Sequence, residues 1–142
     1  MDATNTKYVC YTDGAYSSSR DQGGIGVVVI KDNKIVLEYN KMYPNTTNNR
    51  MEIQAAITAL DCLKNPIDEL TIFTDSMYVV GCVRLGWKRE KNPDLWEKFD
   101  KAYERASKLC PSITFIHVKG HNGDPNNSKA DELAVQASHY EE

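Results

Sequence analysis

The chain has 142 residues, a formal net charge of −3 and 41% hydrophobic residues. This length supports one hydrophobic core, so we expect a single domain over residues 1–142. It has no apolar run long enough to cross a membrane, and its polar start, MDATNTK, is unlike a secretory signal. The four scattered cysteines form no C-x-x-C motif, which disfavours zinc and disulfide frameworks and favours a reducing, cytoplasmic location.

Three strands are predicted in the first third of the chain. Tyr8–Thr12 is rich in aromatic and β-branched residues and ends before an Asp-Gly pair, which favours a strand and a turn. Ile25–Ile30 is a second apolar run, and Asp32-Asn33 offers a two-residue hairpin turn into Ile35–Tyr43. Short connections of this kind predict an antiparallel meander.

The spacing of the apolar residues then changes from that of a strand to that of a helix. Residues Ile53, Ala56, Ile57 and Leu60 have the spacing of an amphipathic helix. Asn48 or Asn49 can cap this helix. A short strand through Leu70, Ile72 and Thr74 follows, and it ends at Asp75.

The second half continues this alternation of strands and helices. Ser76 can cap a brief helix through Val83, and Asn92-Pro93 is a cap followed by proline at the first helical position. The apolar stripe of that next helix consists of Leu95, Trp96, Phe99, Ala102, Tyr103 and Ala106. Ile113–Val118 is a fifth strand and His121–Asn127 a polar loop before a last helix. The order βββαβααβα predicts a mixed five-stranded α/β sheet with helices on its faces, whose first, fourth and fifth strands are parallel.

Four acidic residues stand at informative places in this scheme. Asp13 ends the first predicted strand, Asp75 ends the fourth, Glu52 lies early in the first helix, and Asp131 lies in the first turn of the last helix. Taken singly, each has a structural explanation as a turn residue, a partner of a helix N-terminus or part of a solvated helix face. Taken together, they can converge at the carboxyl edge of the sheet, where open α/β sheets place their sites.

Convergence of four carboxylates requires cations. Without them the charges would repel, and hard divalent cations prefer oxygen ligands. Two such ions about 3.5–4 Å apart are a known means of breaking a phosphodiester. The four carboxylates also account for the acidic net charge, because the remainder of the chain then has a charge of about +1. The pattern therefore indicates a metal-dependent nuclease.

Five sequence blocks resemble the type 1 ribonuclease H family. They are TDG at Thr12–Gly14, GG-x-G at Gly23–Gly26, TTNNRMEIQAAITAL at Thr46–Leu60, TDS at Thr74–Ser76 and VKGHNGDPNNSKADELA at Val118–Ala134. The resemblance implies a ribonuclease H-like mixed sheet and endonucleolytic hydrolysis of the RNA strand of RNA–DNA hybrids, with 3′-hydroxyl and 5′-phosphate ends. It further implies two Mg²⁺ ions in the substrate complex, or Mn²⁺ in their place. We expect a monomer with no membrane partner.

The resemblance also assigns roles to the acidic residues. Asp13 would contact both metal ions, Glu52 and Asp75 would complete one site, and Asp131 would hold the ion that activates the attacking water. His121 matches a mobile histidine of the family, with a role in proton handling or product release.

Substrate-binding candidates follow from the same blocks. The Asn48–Asn49 pair can read a ribose 2′-hydroxyl, which distinguishes RNA from DNA. Thr47 matches a position that contacts a DNA phosphate, and Gly14 and Asn127 match further site positions. Trp87 lies among Arg84, Lys88, Arg89 and Lys91, where many members have a long basic protrusion, so one helix should be absent here. This segment can stack a sugar and bind DNA phosphates, or it can be a core tryptophan with a solvated loop.

Three alternatives remain at this stage. The first is a silent hybrid-binding module, which the complete set of carboxylates disfavours. The second is a related nuclease, such as a Holliday-junction resolvase or a 3′–5′ exonuclease, which leaves the TTNNRME string unexplained. The third is a ribonuclease H domain of a reverse transcriptase, which the short basic segment keeps open, although the starting Met and acidic tail favour a free-standing protein.

Overall fold

The computed structural model describes residues 6–119 and 124–141. The elements of this part of the chain are β1 (Lys7–Ser17), β2 (Gln22–Lys31), β3 (Lys34–Pro44), α1 (Asn48–Asp61), β4 (Glu69–Thr74), α2 (Met77–Arg84), α3 (Pro93–Leu109), β5 (Ser112–His117) and α4 (Pro125–Ser138). The strands form one mixed sheet in the order β3-β2-β1-β4-β5. β1, β2 and β3 pair antiparallel, whereas β4 is parallel to both β1 and β5, which confirms the predicted sheet.

The β2–β3 hairpin shows how local chemistry sets the meander. Asp32 and Asn33 both have positive φ, 53° and 64°, as a two-residue turn of the primed type requires. Asparagine and aspartate tolerate this left-handed conformation better than other residues with side chains. The predicted hairpin turn is therefore confirmed.

Helices cover both faces of the sheet. The apolar sides of α1, α2 and α3 pack against one face of the sheet. Together they form the larger core, which includes Ile53, Ile72 and Phe99. On the other face, α4 packs against β1 and β2 through Ala130, Tyr11 and Val28. The predicted stripe of α3 is confirmed, with every member buried except Tyr103, which is half-buried.

Two predicted helix caps differ from the structure. Thr47, and neither Asn48 nor Asn49, caps α1, and its hydroxyl accepts the Arg50 backbone N–H at 3.2 Å. Asn92 precedes α3 as expected, but its side chain makes no capping hydrogen bond. None of the helices in the described part of the chain has the length and apolar character needed to cross a bilayer.

Candidate active site

The parallel pairing of β1 with β4 sets two carboxylates side by side. That pairing ends at the Thr12–Thr74 pair, and Asp13 and Asp75 are the next residues on the two chains. Thr12 donates its hydroxyl to the Phe73 carbonyl at 3.3 Å, which ties the two strands together at this point. Contrary to the sequence prediction, Asp13 does not end its strand, because β1 continues to pair with β2 as far as Ser17. Only the partner strand β4 ends here.

Glu52 reaches the same point from α1 because the helix lies unusually close to β1. A Cβ atom built on Gly14 would lie 2.6 Å from the Glu52 backbone nitrogen, so only glycine permits this approach. Glu52 is buried, with 6% of its surface exposed. One carboxylate oxygen each of Asp13, Glu52 and Asp75 lies within 4.8 Å of the others. The three residues therefore share one pocket.

Asp131 approaches Asp13 from α4, beside this pocket, and is not one of the three residues whose oxygens lie within 4.8 Å of one another. A Cβ atom on Gly26 would lie 2.2 Å from the Ala130 carbonyl oxygen, so this glycine allows α4 to contact β2 closely. The carboxyl group of Asp131 comes within hydrogen-bonding reach of Asp13. Asp131 lies in the second turn of α4, and the sequence prediction of the first turn was wrong because α4 begins at Pro125. The predicted loop through Asn127 ends at Asp124, which caps the helix.

The electrostatics of the pocket favour added protons or cations. Burial raises the pKa of Asp13 to about 9, with further contributions from Asp75 and Asp131. Burial also raises the pKa of Glu52 well above its usual range, and Asp13 and Asp75 reinforce this effect. Negative charge in this pocket is therefore costly unless positive charge accompanies it.

The donor set fits a hard divalent cation. Every ligand atom is a carboxylate oxygen, the type that Mg²⁺ and Mn²⁺ prefer. In addition, Glu52 Oε1 is buried and has no hydrogen-bond partner within the described residues. A buried acceptor without a partner costs free energy, and coordination of a cation would satisfy it.

The candidates for substrate recognition stand at the start of α1. Thr47, Asn48 and Asn49 are all exposed. Because Thr47 serves as the cap, neither asparagine side chain is needed for that role. Asn127 lies in the first turn of α4 with 5% of its surface exposed, so it is an interior residue at this position. His121 lies outside the described residues.

The segment around Trp87 has features of both sequence interpretations, an exposed surface that can stack on a sugar and a tryptophan that packs on the protein. No helix forms in residues 85–92, the α2–α3 connection. Trp87 is 46% exposed, yet its ring packs on α2, where a Cβ atom on Gly81 would lie 2.1 Å from it. One face of the indole is therefore structural, and the rest is open to solvent.

The four cations of this segment have different surroundings. The Arg89 guanidinium lies 4.6 Å from the Trp96 ring centroid and pairs with Asp100 at 2.7 Å, and Arg84 donates to the Phe115 carbonyl at 3.0 Å. Both arginines thus stabilise the fold. Lys88 and Lys91 are exposed, and neither forms an ion pair with a described carboxylate.

Two contacts near the pocket have no signal in the sequence. Arg50 binds Asp94 at the start of α3, and the Tyr11 hydroxyl donates to Asp124 at 2.9 Å. Tyr11 is two residues before Asp13, and Asp124 caps the helix of Asp131, so this bond ties together the two elements that bring those carboxylates into contact. Both contacts join residues far apart in the chain, which periodicity and capping rules cannot detect.

Comparison with known proteins agrees with this geometry. The family model described as RNase H matches residues 5–139. A ribonuclease H of Jannaschia sp. (strain CCS1) is 42% identical over 89% of this chain and 87% of its own length. The N-terminal ribonuclease H domain of a Mycobacterium tuberculosis protein superposes with a TM-score of 0.77 at 26% identity, covering 94% of each chain. The structure of LC11 ribonuclease H1 in complex with an RNA/DNA hybrid superposes with a TM-score of 0.73 at 29% identity, covering 92% of this chain and 95% of that one. The chain therefore belongs to the ribonuclease H family of endoribonucleases, and its sequence blocks fit the type 1 branch.

Proposed function

We propose that the protein hydrolyses the RNA strand of RNA–DNA hybrids at the carboxylate pocket and leaves 3′-hydroxyl and 5′-phosphate ends. The observation that supports this most strongly is the cluster of Asp13, Glu52 and Asp75, whose carboxylate oxygens lie within 4.8 Å of one another. The hybrid as substrate is supported by similarity to LC11 ribonuclease H1, which was solved with an RNA/DNA hybrid.

The residues of the pocket would hold two Mg²⁺ ions, with Mn²⁺ as a substitute. Asp13 would contact both ions, Glu52 and Asp75 would complete one site, and Asp131 would hold the other. When bound, such ions lower the pKa of a water molecule and stabilise the leaving 3′-oxygen. Glu52 Oε1 suits this role because it is buried and has no other described partner.

Recognition of the hybrid begins at the first turn of α1. Asn48 and Asn49 would exchange hydrogen bonds with ribose 2′-hydroxyls and base edges, which selects RNA on that side. The Thr47 hydroxyl already accepts the Arg50 N–H, so its own proton remains available for a DNA phosphate. Gly14 would serve the site by letting α1 lie close to β1, which brings Glu52 to Asp13, and Asn127 would support the pocket from its buried position in α4.

Two further groups complete the proposal. His121 would take up or release a proton during product departure, because an imidazole titrates near neutral pH. The exposed part of Trp87 would stack on a sugar of the DNA strand, with Lys88 and Lys91 near its phosphates. These contacts orient the duplex and leave the choice of strand to Asn48 and Asn49.

Cleavage of a labelled hybrid tests this function. RNA in the hybrid should be cut with Mg²⁺ and remain intact with EDTA. The fragments should be extended by a polymerase that requires a 3′-hydroxyl and degraded by an exonuclease that requires a 5′-phosphate. Fragments with 3′-phosphate or cyclic phosphate ends would contradict the mechanism, since attack by water with departure of the 3′-oxygen leaves the phosphate on the 5′ end of the downstream fragment.

A further inference from the structure

Arg50 connects the first turn of α1 to the start of α3. Its guanidinium binds both carboxylate oxygens of Asp94, with Nη2 to Oδ2 at 2.7 Å and Nη1 to Oδ1 at 3.0 Å. Nη1 also donates to Asn92 Oδ1 at 3.3 Å. A two-point arginine–carboxylate contact fixes orientation as well as distance, which a single contact cannot do.

The connection extends from Asn92 to α2. The Asn92 side-chain amide donates to the Tyr78 hydroxyl at 3.4 Å, and Trp96 Nε1 donates to the same hydroxyl at 3.1 Å. Arg50, Asn92, Asp94 and Tyr78 thus form one network, which we call the Arg50 bridge. It joins α1, α2 and α3 at the end of the molecule that presents the active site.

Asn92 takes part in this bridge and does not cap α3 with its side chain. An asparagine before a helix normally caps it, a contribution of about 1 kcal/mol. Here its φ is 61°, in the left-handed region, and no capping bond forms. Its side chain instead turns to Arg50 and Tyr78. The hydrogen bonds of Asn92 to Arg50 and Tyr78 thus replace the capping bond that its place before α3 would favour.

The segment positioned in this way is the α2–α3 connection, residues 85–92. One end is fixed where Trp87 N–H donates to the Gly81 carbonyl at 3.1 Å, and Arg89 holds the middle to α3. Asn92 at the other end connects it to α1 through Arg50. In α1, Arg50 directly follows Asn48 and Asn49.

We propose that Arg50 is a positioning residue that fixes the spacing between the asparagines that read the RNA strand and the α2–α3 connection that meets the DNA strand. The inference rests on the proposed function, because it assumes that the two surfaces bind the two strands of one hybrid. Arg50 itself contacts no reacting atom in this account. Loss of the bridge should thus weaken substrate binding and leave the chemical step unchanged.

The same two helices provide a matched control. Arg105 of α3 pairs with Asp61 of α1 at 2.9 Å, at the far ends of the helices. Asp94→Asn and Asp61→Asn remove the same charge, and each breaks an arginine–aspartate pair between α1 and α3, with two contacts at Asp94 and one at Asp61. Removal of a negative charge alone should strengthen binding to a polyanion in both variants. Weaker binding is expected only if the positioned segment is disturbed, and we expect this for Asp94→Asn and not for Asp61→Asn.

Steady-state cleavage of a hybrid by the wild type and both variants decides the question. For Asp94→Asn we expect KM to rise about fivefold, the scale of one lost polar contact, with kcat within about twofold. For Asp61→Asn we expect KM equal to or below the wild-type value. Equal KM values for the two variants would overturn the inference, whereas a wild type that does not cut hybrid would instead overturn the proposed function.

A second variant guards against misfolding of the first. Asn92→Gly keeps the positive φ without strain and removes both side-chain bonds of Asn92. It should leave the melting temperature close to that of the wild type and raise KM. An unchanged KM in a stably folded Asn92→Gly protein would also overturn the inference.

Discussion

Replacement of Asp13 by asparagine should abolish hydrolysis and at the same time stabilise the metal-free protein. The clustered carboxylate oxygens lie within 4.8 Å of one another. Two unit charges at that separation repel by about 3.5 kcal/mol at an effective dielectric constant of about 20. Asparagine keeps an oxygen that can accept the Gly14 N–H, now bound at 2.9 Å, and its amide can donate to a neighbouring carboxylate. One repulsion is thus exchanged for a hydrogen bond.

The pH dependence of this effect has a definite sign. Burial and the neighbouring carboxylates raise the folded-state pKa of Asp13 to about 9. The unfolded chain has a pKa of about 4, so between these values the folded state binds more protons than the unfolded state. The contribution of Asp13 to the stability of the metal-free wild type is therefore fully present below about pH 4 and is lost as pH rises towards about 9, by at most about 1.4 kcal/mol per pH unit for one proton.

The variant lacks this titration, so its advantage should grow with pH. We expect an advantage of about 1–3 kcal/mol near pH 8, within the maximum of about 1.4 kcal/mol for each pH unit above about pH 4. For a chain of this length that corresponds to a melting temperature about 3–10 °C higher.

Thermal unfolding followed by circular dichroism in EDTA, from about pH 5 to about pH 8, measures the difference. Asp32→Asn is the matched control, because it removes a charge from the exposed β2–β3 turn. If Asp13→Asn melts no higher than the wild type near the upper end of this range while the control is unchanged, the account of a repulsive carboxylate cluster is refuted.

Three other substitutions probe the surroundings of the pocket. Asn49→Ala should lower kcat/KM for hybrid by an amount that corresponds to about 1–3 kcal/mol, the free energy of a lost polar contact. An unchanged kcat/KM would contradict its role in RNA recognition. The Lys88→Ala, Lys91→Ala double variant should show a shallower dependence of hybrid affinity on KCl, because fewer phosphates are neutralised; identical slopes would mean a solvated loop. Tyr11→Phe should lower Mn²⁺ affinity several-fold in calorimetry without hybrid, because the start of α4 loses its bond to β1; equal affinities would argue against this link.

Much of the fold could be predicted because its signals are local. The Asp32-Asn33 pair suits its hairpin turn, and the apolar stripe of α3 identifies both the helix and its buried face. The start of α4 could also have been found, since Asp124-Pro125 has the same cap-and-proline pattern that located α3. The loop predicted there was wrong, because Asp124 caps the helix and Pro125 begins it.

The remaining differences depend on contacts across the chain. Which of three adjacent polar residues caps α1 depends on how the helix meets the sheet, and Thr47 takes that place. Arg89 looks like its neighbour Lys88 in the sequence, yet only Arg89 lies against Trp96 and pairs with Asp100. For the same reason the salt-dependence test replaces Lys88 and Lys91 and keeps Arg89, whose loss would also disturb the core.

A hybrid with different fluorophores on its RNA and DNA strands shows which strand the carboxylate pocket cuts. Wild type with Mg²⁺ should cut the RNA strand and leave the DNA strand whole, with little cleavage of double-stranded RNA under the same conditions. Asp13→Asn, matched for folding by circular dichroism, should cut neither strand. Cleavage of the DNA strand, comparable cleavage of double-stranded RNA, or cleavage by Asp13→Asn at more than about a hundredth of the wild-type rate would contradict the assignment of hybrid-specific hydrolysis to this carboxylate pocket.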